Sequence, residues 1–290
     1  MIAFPNAKIN LGLHVTEKRP DGFHNIETVF YPVGWRDCLE IVENREWEAG
    51  NEKAGHKSTL TQLISPDSQL ILSQSGLHID GRLEDNLIYK AWKLVKQDYS
   101  VPAIRVHLHK ILPMGAGLGG GSSDAAFFIR LLNDTFELGI SWGEMHHYAR
   151  QLGSDCSFFI SNRPAFAEGK GDEYESIRLD LSAYKIAIVY PNIHSNTKEA
   201  YKGILPAKPQ RSVEEIVLNH PVEEWKGILV NDFEKSIFAK YPRIAELKQL
   251  LYERGAVYAS MSGSGSAVYG IFKEITEIRL NEGEVLWREE

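Results

Sequence analysis

The fold of this chain is decided by the stretch Leu112-Pro113-Met114-Gly115-Ala116-Gly117-Leu118-Gly119-Gly120-Gly121-Ser122-Ser123-Asp124-Ala125-Ala126. Its five glycines fall within seven positions, and two serines then open an apolar run with helical spacing. Because glycine has no Cβ, the backbone N–H groups of such a loop stay accessible. A helix that begins behind the loop adds unpaired N–H donors and the positive end of its dipole. The stretch therefore predicts a binding site for an anion such as the phosphates of a nucleotide, and the alternative is a flexible surface turn.

Three common phosphate-binding loops do not fit this stretch. Gly115, Gly117 and Gly120 satisfy the G-x-G-x-x-G pattern of dinucleotide-binding oxidoreductases. The preceding segment Ile104–Lys110, however, alternates apolar and polar residues, whereas a buried parallel strand is nearly continuous in apolar residues. No lysine follows Gly121, as a Walker A loop requires, and the chain contains neither the H-R-D nor the D-F-G motif of protein kinases.

The loop instead resembles that of the GHMP kinases, the family of galactose, homoserine, mevalonate and phosphomevalonate kinases. Four further blocks resemble the same family in its order: residues 5–11 with 19–24, residues 85–88, residues 152–156 with 165–169, and residues 261–267. Together the five blocks span residues 5–272, so a chance match is not credible. They are most similar to the branch of the family whose acceptor is a cytidine diphosphate derivative of methylerythritol.

The resemblance implies an α+β chain with the two-domain GHMP-kinase fold, in which two-layer α/β domains hold the active site in the cleft between them. It implies an N-terminal domain at residues 1–164, which contains the ATP loop at 113–123, and a C-terminal domain at residues 165–290. Irregular alternation of strand-like and helix-like segments also favours an α+β chain in two layers.

The spacing of apolar residues predicts the individual elements. Strands are expected at 9–16 (half-buried), 30–42 with a break at Gly34, 104–110 and 186–190, with a strand–turn–strand hairpin at 257–272. Helices are expected from residue 86 and near 213–218, 231–238 and 244–254, and a turn at 20–22. The polar segment 44–69 is interpreted as an extended hairpin or surface loop.

The implied reaction moves the γ-phosphoryl group of ATP to the 2-hydroxyl of 4-diphosphocytidyl-2-C-methyl-D-erythritol, in the non-mevalonate route to isopentenyl diphosphate. Such a transfer needs a phosphate cradle with Mg²⁺, a cation near the moving group and a carboxylate at the acceptor hydroxyl. Residues 113–123 supply the cradle, and Ser122 or Ser123 adds a hydroxyl to Mg²⁺ or to a phosphate, or simply caps the helix. The resemblance assigns catalysis to Lys8 and Asp155. Their alternatives are a solvated charge and an N-cap of the short segment after Asp155.

The resemblance also assigns the acceptor site. Asn10, Phe23, His24 and Tyr201 match its substrate-binding positions, although tyrosine is more usual than phenylalanine at position 23. Phe23 and Tyr201 would stack on the cytosine while His24 pairs with its edge, and stacking contributes about 1–3 kcal/mol per base. Ordinary core packing is the alternative for both aromatic residues.

Two further residues, Asn86 and Lys110, match positions that flank the adenine of ATP in the family. Lys110 ends a predicted strand, where a solvated lysine is the alternative interpretation.

Composition limits the class of protein. With 290 residues the chain can form a large core, and its net charge of −7 opposes nucleic-acid binding. No apolar run approaches the roughly 18–20 residues that span a bilayer, and no leader-like apolar run follows the first methionine. We therefore expect a cytoplasmic enzyme whose ligands are small molecules, with its oligomeric state left open. Cys38 and Cys156 lie in no metal-ligand spacing, so no protein metal site is expected and both thiols are expected to be inert.

Two other functions stay open at this point. One is another kinase of the same superfamily, acting on mevalonate, homoserine or a sugar, and the other is a non-catalytic ligand sensor on the same fold. The Phe23-His24 pair argues against the first, because the other kinases build their acceptor pockets differently. The presence of both Lys8 and Asp155 argues against the sensor, which would have lost catalytic residues.

Overall fold

The computed structural model describes residues 1–44, 61–66, 68–79 and 81–289. These residues form two compact units, each assembled from separate stretches of chain. The first unit comprises Met1–Asn6, Arg36–Leu112 and Gly120–Ser161, and the second comprises Ala7–Trp35, Pro113–Gly119 and Asn162–Glu290. Helices and sheets are mixed in the chain, so the α+β class is confirmed. The division into family domains at residue 164 stays a prediction.

The described strands are β1 (Ile2–Ala3), β2 (Asn6–Lys18), β3 (His24–Arg36), β4 (Cys38–Glu43), β5 (Thr61–Ile64), β6 (Leu70–Gly76), β7 (Ile104–Lys110), β8 (Ala165–Glu168), β9 (Glu173–Ser176), β10 (Lys185–Tyr190), β11 (Tyr258–Met261), β12 (Val268–Phe272) and β13 (Val285–Arg288). The described α-helices are α1 (Leu87–Asp98), α2 (Gly120–Phe136), α3 (Trp142–Leu152), α4 (Cys156–Ser161), α5 (Thr197–Ala200), α6 (Val213–Asn219), α7 (Phe233–Lys240) and α8 (Pro242–Glu253). The predicted turn at 20–22 and the predicted helices are confirmed.

A five-stranded sheet and four helices form the first unit. The strand order is β1-β4-β7-β6-β5, and β7 pairs with β4 antiparallel and with β6 in parallel. As its alternation predicts, β7 buries Ile104, Val106 and Leu108, while Arg105 and His109 are exposed. Helix α2 packs against α1, α3 and α4 and against β4, which places it at the centre of the helical layer.

The described part of the second unit contains helices α5 to α8 and two four-stranded sheets, in the orders β2-β3-β8-β9 and β11-β12-β10-β13. The prediction of a half-buried strand at 9–16 is right in its position but wrong in its burial, because β2 is buried on both faces from residue 6 to residue 13. Leu13 and Val15 pack in a core cluster with residues of β10, β11, β12, α7 and α8. The hydroxyl of Tyr269 in β12 donates to the carbonyl oxygen of Asn10.

One local expectation is corrected, and one strand was not predicted. Gly34 does not break a strand, since β3 runs through it and the break falls at Asp37. A ring carbon of Trp287 lies 3.4 Å from where a Cβ of Gly34 would be, which is an ordinary van der Waals distance. Trp287 belongs to β13, a strand that the sequence did not predict and that pairs with β10.

The predicted polar segment 44–69 lies largely outside the described residues. Its described part contributes β5, which pairs antiparallel with β6. Among the described residues no helix is long and apolar enough to cross a membrane.

Candidate active site

The glycine loop of the second unit is held in place by backbone hydrogen bonds. The amide of Lys8 donates to the carbonyl oxygen of Leu118 at 3.0 Å, and the amide of Ala267 donates to that of Ala116 at 3.0 Å. Gly117 has a φ of 79°, and a Cβ there would lie 2.0 Å from the carbonyl oxygen of Ser262. The loop therefore needs glycine for close backbone approach, which argues against a flexible surface turn.

A second glycine loop, residues 262–266 between β11 and β12, packs on the first one. The hydroxyl of Ser262 donates to the carbonyl oxygen of Gly117 at 2.9 Å and accepts from the amide of Asn10 at 3.2 Å. Ser262 thus connects the first glycine loop to β2. The sequence comparison singled out this second loop but did not predict this contact.

Helix α2 begins at Gly120, two residues earlier than the serines suggest. The N-cap interpretation of Ser122 and Ser123 is therefore wrong, because both lie inside the first turn. The hydroxyl of Ser123 is buried and has no hydrogen-bond partner among the described residues. Ser122 approaches the thiol of Cys156, whose pKa is raised to about 11 mainly by burial. This buried hydroxyl without a partner lies at the positive end of a 17-residue helix. It is suited to donate to a phosphate oxygen or to coordinate the metal ion that accompanies the phosphate.

Lys8 is a buried lysine of the second unit. It is 4% exposed, its ammonium donates to Oδ1 of Asn10 at 2.5 Å, and it lies 4.7 Å from the ring centroid of Phe30. The interpretation as a solvated charge is therefore wrong. The amide nitrogen of Asn10 donates in turn to the hydroxyl of Thr28 at 3.1 Å, which fixes the amide orientation. A charge held this tightly has its geometry set before any ligand arrives.

Asp155 lies in the first unit, half-buried and directly before α4. The structure therefore describes Lys8 and Asp155 in separate units, and their joint role in catalysis stays a prediction. 

The proposed cytosine-binding side chains lie together in the second unit. The rings of His24 and Tyr201 stack with their centroids 4.6 Å apart, and Tyr201 packs edge-on against Phe233 at 4.8 Å. Phe23 is 59% exposed, so core packing is not its role, and the ammonium of Lys170 lies 5.4 Å from its ring centroid. The direct stack of His24 on Tyr201 has no signal in the sequence, because 177 positions separate the two residues.

The two residues expected near adenine lie in the first unit and are both engaged. Asn86 caps α1, since its side-chain oxygen accepts from the amide of Ile88 at 2.9 Å. Lys110 is 1% exposed, so its interpretation as a solvated lysine is wrong. Its ammonium donates to Oδ2 of Asp37 at 2.6 Å and to Oδ2 of Asp124 at 2.7 Å. Burial raises the pKa of Asp124 to about 7, which Lys110 partly opposes. The adenine roles of Asn86 and Lys110 stay predictions.

Comparison with known proteins identifies relatives over almost the whole chain. The family model for the GHMP kinases N terminal domain matches residues 86–168, and that for the GHMP kinases C terminal domain matches residues 215–279. A 4-diphosphocytidyl-2-C-methyl-D-erythritol kinase of Bacteroides thetaiotaomicron is 50% identical over 94% of this chain and 92% of its own length. The enzyme of that name from Cytophaga hutchinsonii is 47% identical over 94% of this chain and 92% of its own length.

Two solved structures have folds similar to that of this chain over most of its length. The crystal structure of a 4-(cytidine 5'-diphospho)-2C-methyl-D-erythritol kinase is 28% identical, with a TM-score of 0.71 over 93% of this chain and 90% of that one. The mevalonate kinase of Methanococcus jannaschii is 13% identical, with a TM-score of 0.60 over 99% of this chain and 97% of that one. The second likeness concerns the fold alone.

Proposed function

This chain belongs to the GHMP kinase family, and from that membership we propose that it phosphorylates the 2-hydroxyl of 4-diphosphocytidyl-2-C-methyl-D-erythritol. The chain is a kinase, and its family uses ATP as the phosphoryl donor. The observation that carries the acceptor assignment is 50% identity over 273 residues with an enzyme named for that substrate. The products would be the 2-phosphate and ADP.

The glycine loop and the start of α2 are proposed to bind the triphosphate of ATP. Gly117 lets the loop pack closely on the carbonyl of Ser262, which fixes the loop, and the helix N-terminus stabilises negative charge. Mg²⁺ would accompany the nucleotide and neutralise charge on the phosphates. The buried hydroxyl of Ser123 is the protein oxygen that we propose as a ligand of this ion.

Lys8 and Asp155 are proposed to act on the group that moves. The ammonium of Lys8, oriented by Asn10, would stabilise the negative charge that develops on the γ-phosphoryl oxygens. Asp155 would orient the 2-hydroxyl and accept its proton as the oxygen attacks phosphorus. This chemistry requires positioning and charge stabilisation but no covalent intermediate on the protein.

Phe23, His24 and Tyr201 are proposed to bind the cytosine. The ring of His24 covers a face of Tyr201. Cytosine would take the place of His24 on that face, and the released imidazole would pair with the polar edge of the base. Phe23, which is exposed, is available as the opposing ring.

A direct assay tests the proposal. ATP consumption is measured with 4-diphosphocytidyl-2-C-methyl-D-erythritol, with mevalonate and with homoserine as acceptors. We expect kcat/KM to be highest for the cytidyl substrate. A higher value for mevalonate or homoserine would identify another kinase of the superfamily, and nucleotide binding without turnover of any acceptor would indicate a sensor.

A further inference from the structure

A buried group of three charged side chains lies beside the start of α2 in the first unit. We call Asp37, Lys110 and Asp124 the ion cluster. Their side chains are at most 4% exposed, and the ammonium of Lys110 bridges the two carboxylates at 2.6 and 2.7 Å. Asp37 lies between β3 and β4, Lys110 ends β7 and Asp124 is the fifth residue of α2. The cluster therefore joins three elements that are distant in sequence.

The cluster also fixes the backbone that leaves β7. Oδ1 of Asp37 accepts from the amide of Ile111 at 2.6 Å and from that of Leu112 at 2.8 Å. Asp37 thereby holds the two residues before segment 113–119, and Asp124 belongs to the helix that follows this segment. Both flanks of the glycine segment are thus tied to the one ammonium of Lys110.

Gly120 lies against the cluster. A Cβ at this position would be 3.0 Å from the ammonium nitrogen of Lys110 and 3.2 Å from Cβ of Leu112. Contacts this short require a neighbour to move, so glycine at position 120 lets the first residue of α2 approach the ammonium. The position of the helix start consequently depends on where the ammonium is held.

Stability alone is a poor explanation for this arrangement. Buried ion pairs often contribute little, because the loss of hydration offsets the attraction between the charges. Here two carboxylates share one ammonium, and Oδ1 of Asp124 has no hydrogen-bond partner among the described residues. An apolar group of the same volume would avoid that unsatisfied oxygen.

We propose that Asp37 and Asp124 are positioning residues for the nucleotide: through Lys110 they fix the first turn of α2 relative to the end of β7. This inference rests on the proposed function in taking ATP as the ligand of that turn. The residues act through the backbone of residues 120–123, so a substitution in the cluster changes nucleotide affinity without removing a group that contacts the nucleotide.

Binding of a non-hydrolysable ATP analogue, measured by calorimetry well below the melting temperature, tests the inference. Asp124→Leu removes an acceptor from Lys110, and we expect Kd to rise about tenfold or more. Asp124→Asn keeps an oxygen that accepts from Lys110, so we expect its Kd to stay within about threefold of wild type. Gly120→Ala leaves the cluster intact but pushes on the ammonium, and we expect a rise between these two values.

Gly143→Ala in α3 is the matched control, because its Cβ would meet only Ser141 Oγ at 3.9 Å. A lower melting temperature with unchanged Kd in both Asp124→Leu and Gly120→Ala would overturn the inference, since the cluster would then be purely structural. If Asp124→Leu does not fold, Gly120→Ala decides: weaker binding supports the inference and wild-type affinity overturns it. A wild-type protein that binds the analogue but does not phosphorylate the cytidyl acceptor would contradict only the acceptor assignment. The absence of nucleotide binding would overturn both.

Discussion

β2 and β7 both alternate apolar and polar side chains, yet Lys8 and Asn10 of β2 are buried while Arg105 and His109 of β7 are exposed. On β2, Lys8 and Asn10 are buried and bonded: the ammonium donates to Asn10, whose amide nitrogen donates to Thr28. Thr28 in turn donates to the carbonyl oxygen of Gly12 at 2.5 Å. Polar groups that face water exchange one partner for another, whereas buried polar groups have no replacement for a lost partner. Identical spacing in sequence therefore marks a solvent-facing surface on one strand and a rigid polar array on the other.

Alanine substitutions on the two strands should give the largest difference between them, and the difference should appear in kcat. We expect Lys8→Ala to lower kcat on the order of 10²–10³-fold, because one preorganised charge stabiliser is lost. We expect Arg105→Ala on β7 to leave kcat near wild type, since that side chain is exposed. Steady-state kinetics with ATP and the cytidyl substrate provide the measurement, with Asp155→Asn expected in the range of Lys8→Ala. Near-normal turnover by Lys8→Ala would remove this lysine from the mechanism.

A substitution in the glycine loop should displace Ser262, which contacts Asn10 of β2. We expect Gly117→Ala to weaken ATP binding by about tenfold or more, since the new Cβ would lie 2.0 Å from the carbonyl oxygen of Ser262 and φ is positive. Because Ser262 also bonds Asn10, the melting temperature should fall as well. Calorimetry and thermal unfolding measure the two effects, with Gly143→Ala as the control. Unchanged values for both would mean that the contact with Ser262 is not needed.

The hydrogen-bonded array itself is tested by Thr28→Val, which keeps the shape of the side chain. We expect the free energy of unfolding to fall by about 1–3 kcal/mol, because the carbonyl of Gly12 and the amide of Asn10 lose a buried partner. Ser73→Ala, in the half-buried network beside His107, is expected to cost less than about 0.5 kcal/mol. Equal losses in urea unfolding would show that burial does not distinguish the two networks.

A pH effect on the first unit is expected to be smaller. Burial, with a smaller effect from Arg150, lowers the pKa of His146, which bonds the hydroxyls of Ser157 and Ser161. A base with a lower pKa in the folded state binds fewer protons there, so stability falls as pH drops through the unfolded value of about 6.5. We expect His146→Gln to lose less stability than wild type between about pH 7.5 and about pH 5.5. Thermal unfolding measures the loss of stability in both proteins. An equal loss in the two would show that His146 does not cause the pH dependence.

The elements whose signals lie in their own residues could be predicted from the sequence. The alternation of β7, the start of α1 at Asn86 and the hairpin of β11 and β12 all depend on neighbours in the chain. The glycine loop belongs to this group too, because its conformation is limited by the absence of Cβ atoms. The blocks that resemble the GHMP kinases supplied the rest of the correct fold assignment.

Features set by distant residues could not be predicted. The polar face of β2 is buried as well, with Lys8 beside Phe30 and Asn10 bonded to Thr28, which its own alternation does not reveal. Lys110 is an intermediate case, since it continues the buried set of Ile104, Val106 and Leu108 and therefore required a buried counter-charge. The alternation did not identify Asp37 and Asp124 as that counter-charge.

The discontinuous make-up of the two units has a consequence for synthesis on the ribosome. All strands and helices of the first unit are complete once Ser161 has emerged. β2 and β3 are made among the earliest residues, but their sheet needs β8 and β9, and the cluster around Leu13 and Val15 needs residues up to Ile278. The hairpin of β2 and β3 therefore remains without the residues that bury it while most of the chain is translated. During that interval the nascent second unit exposes apolar surface, the condition under which incompletely folded chains aggregate.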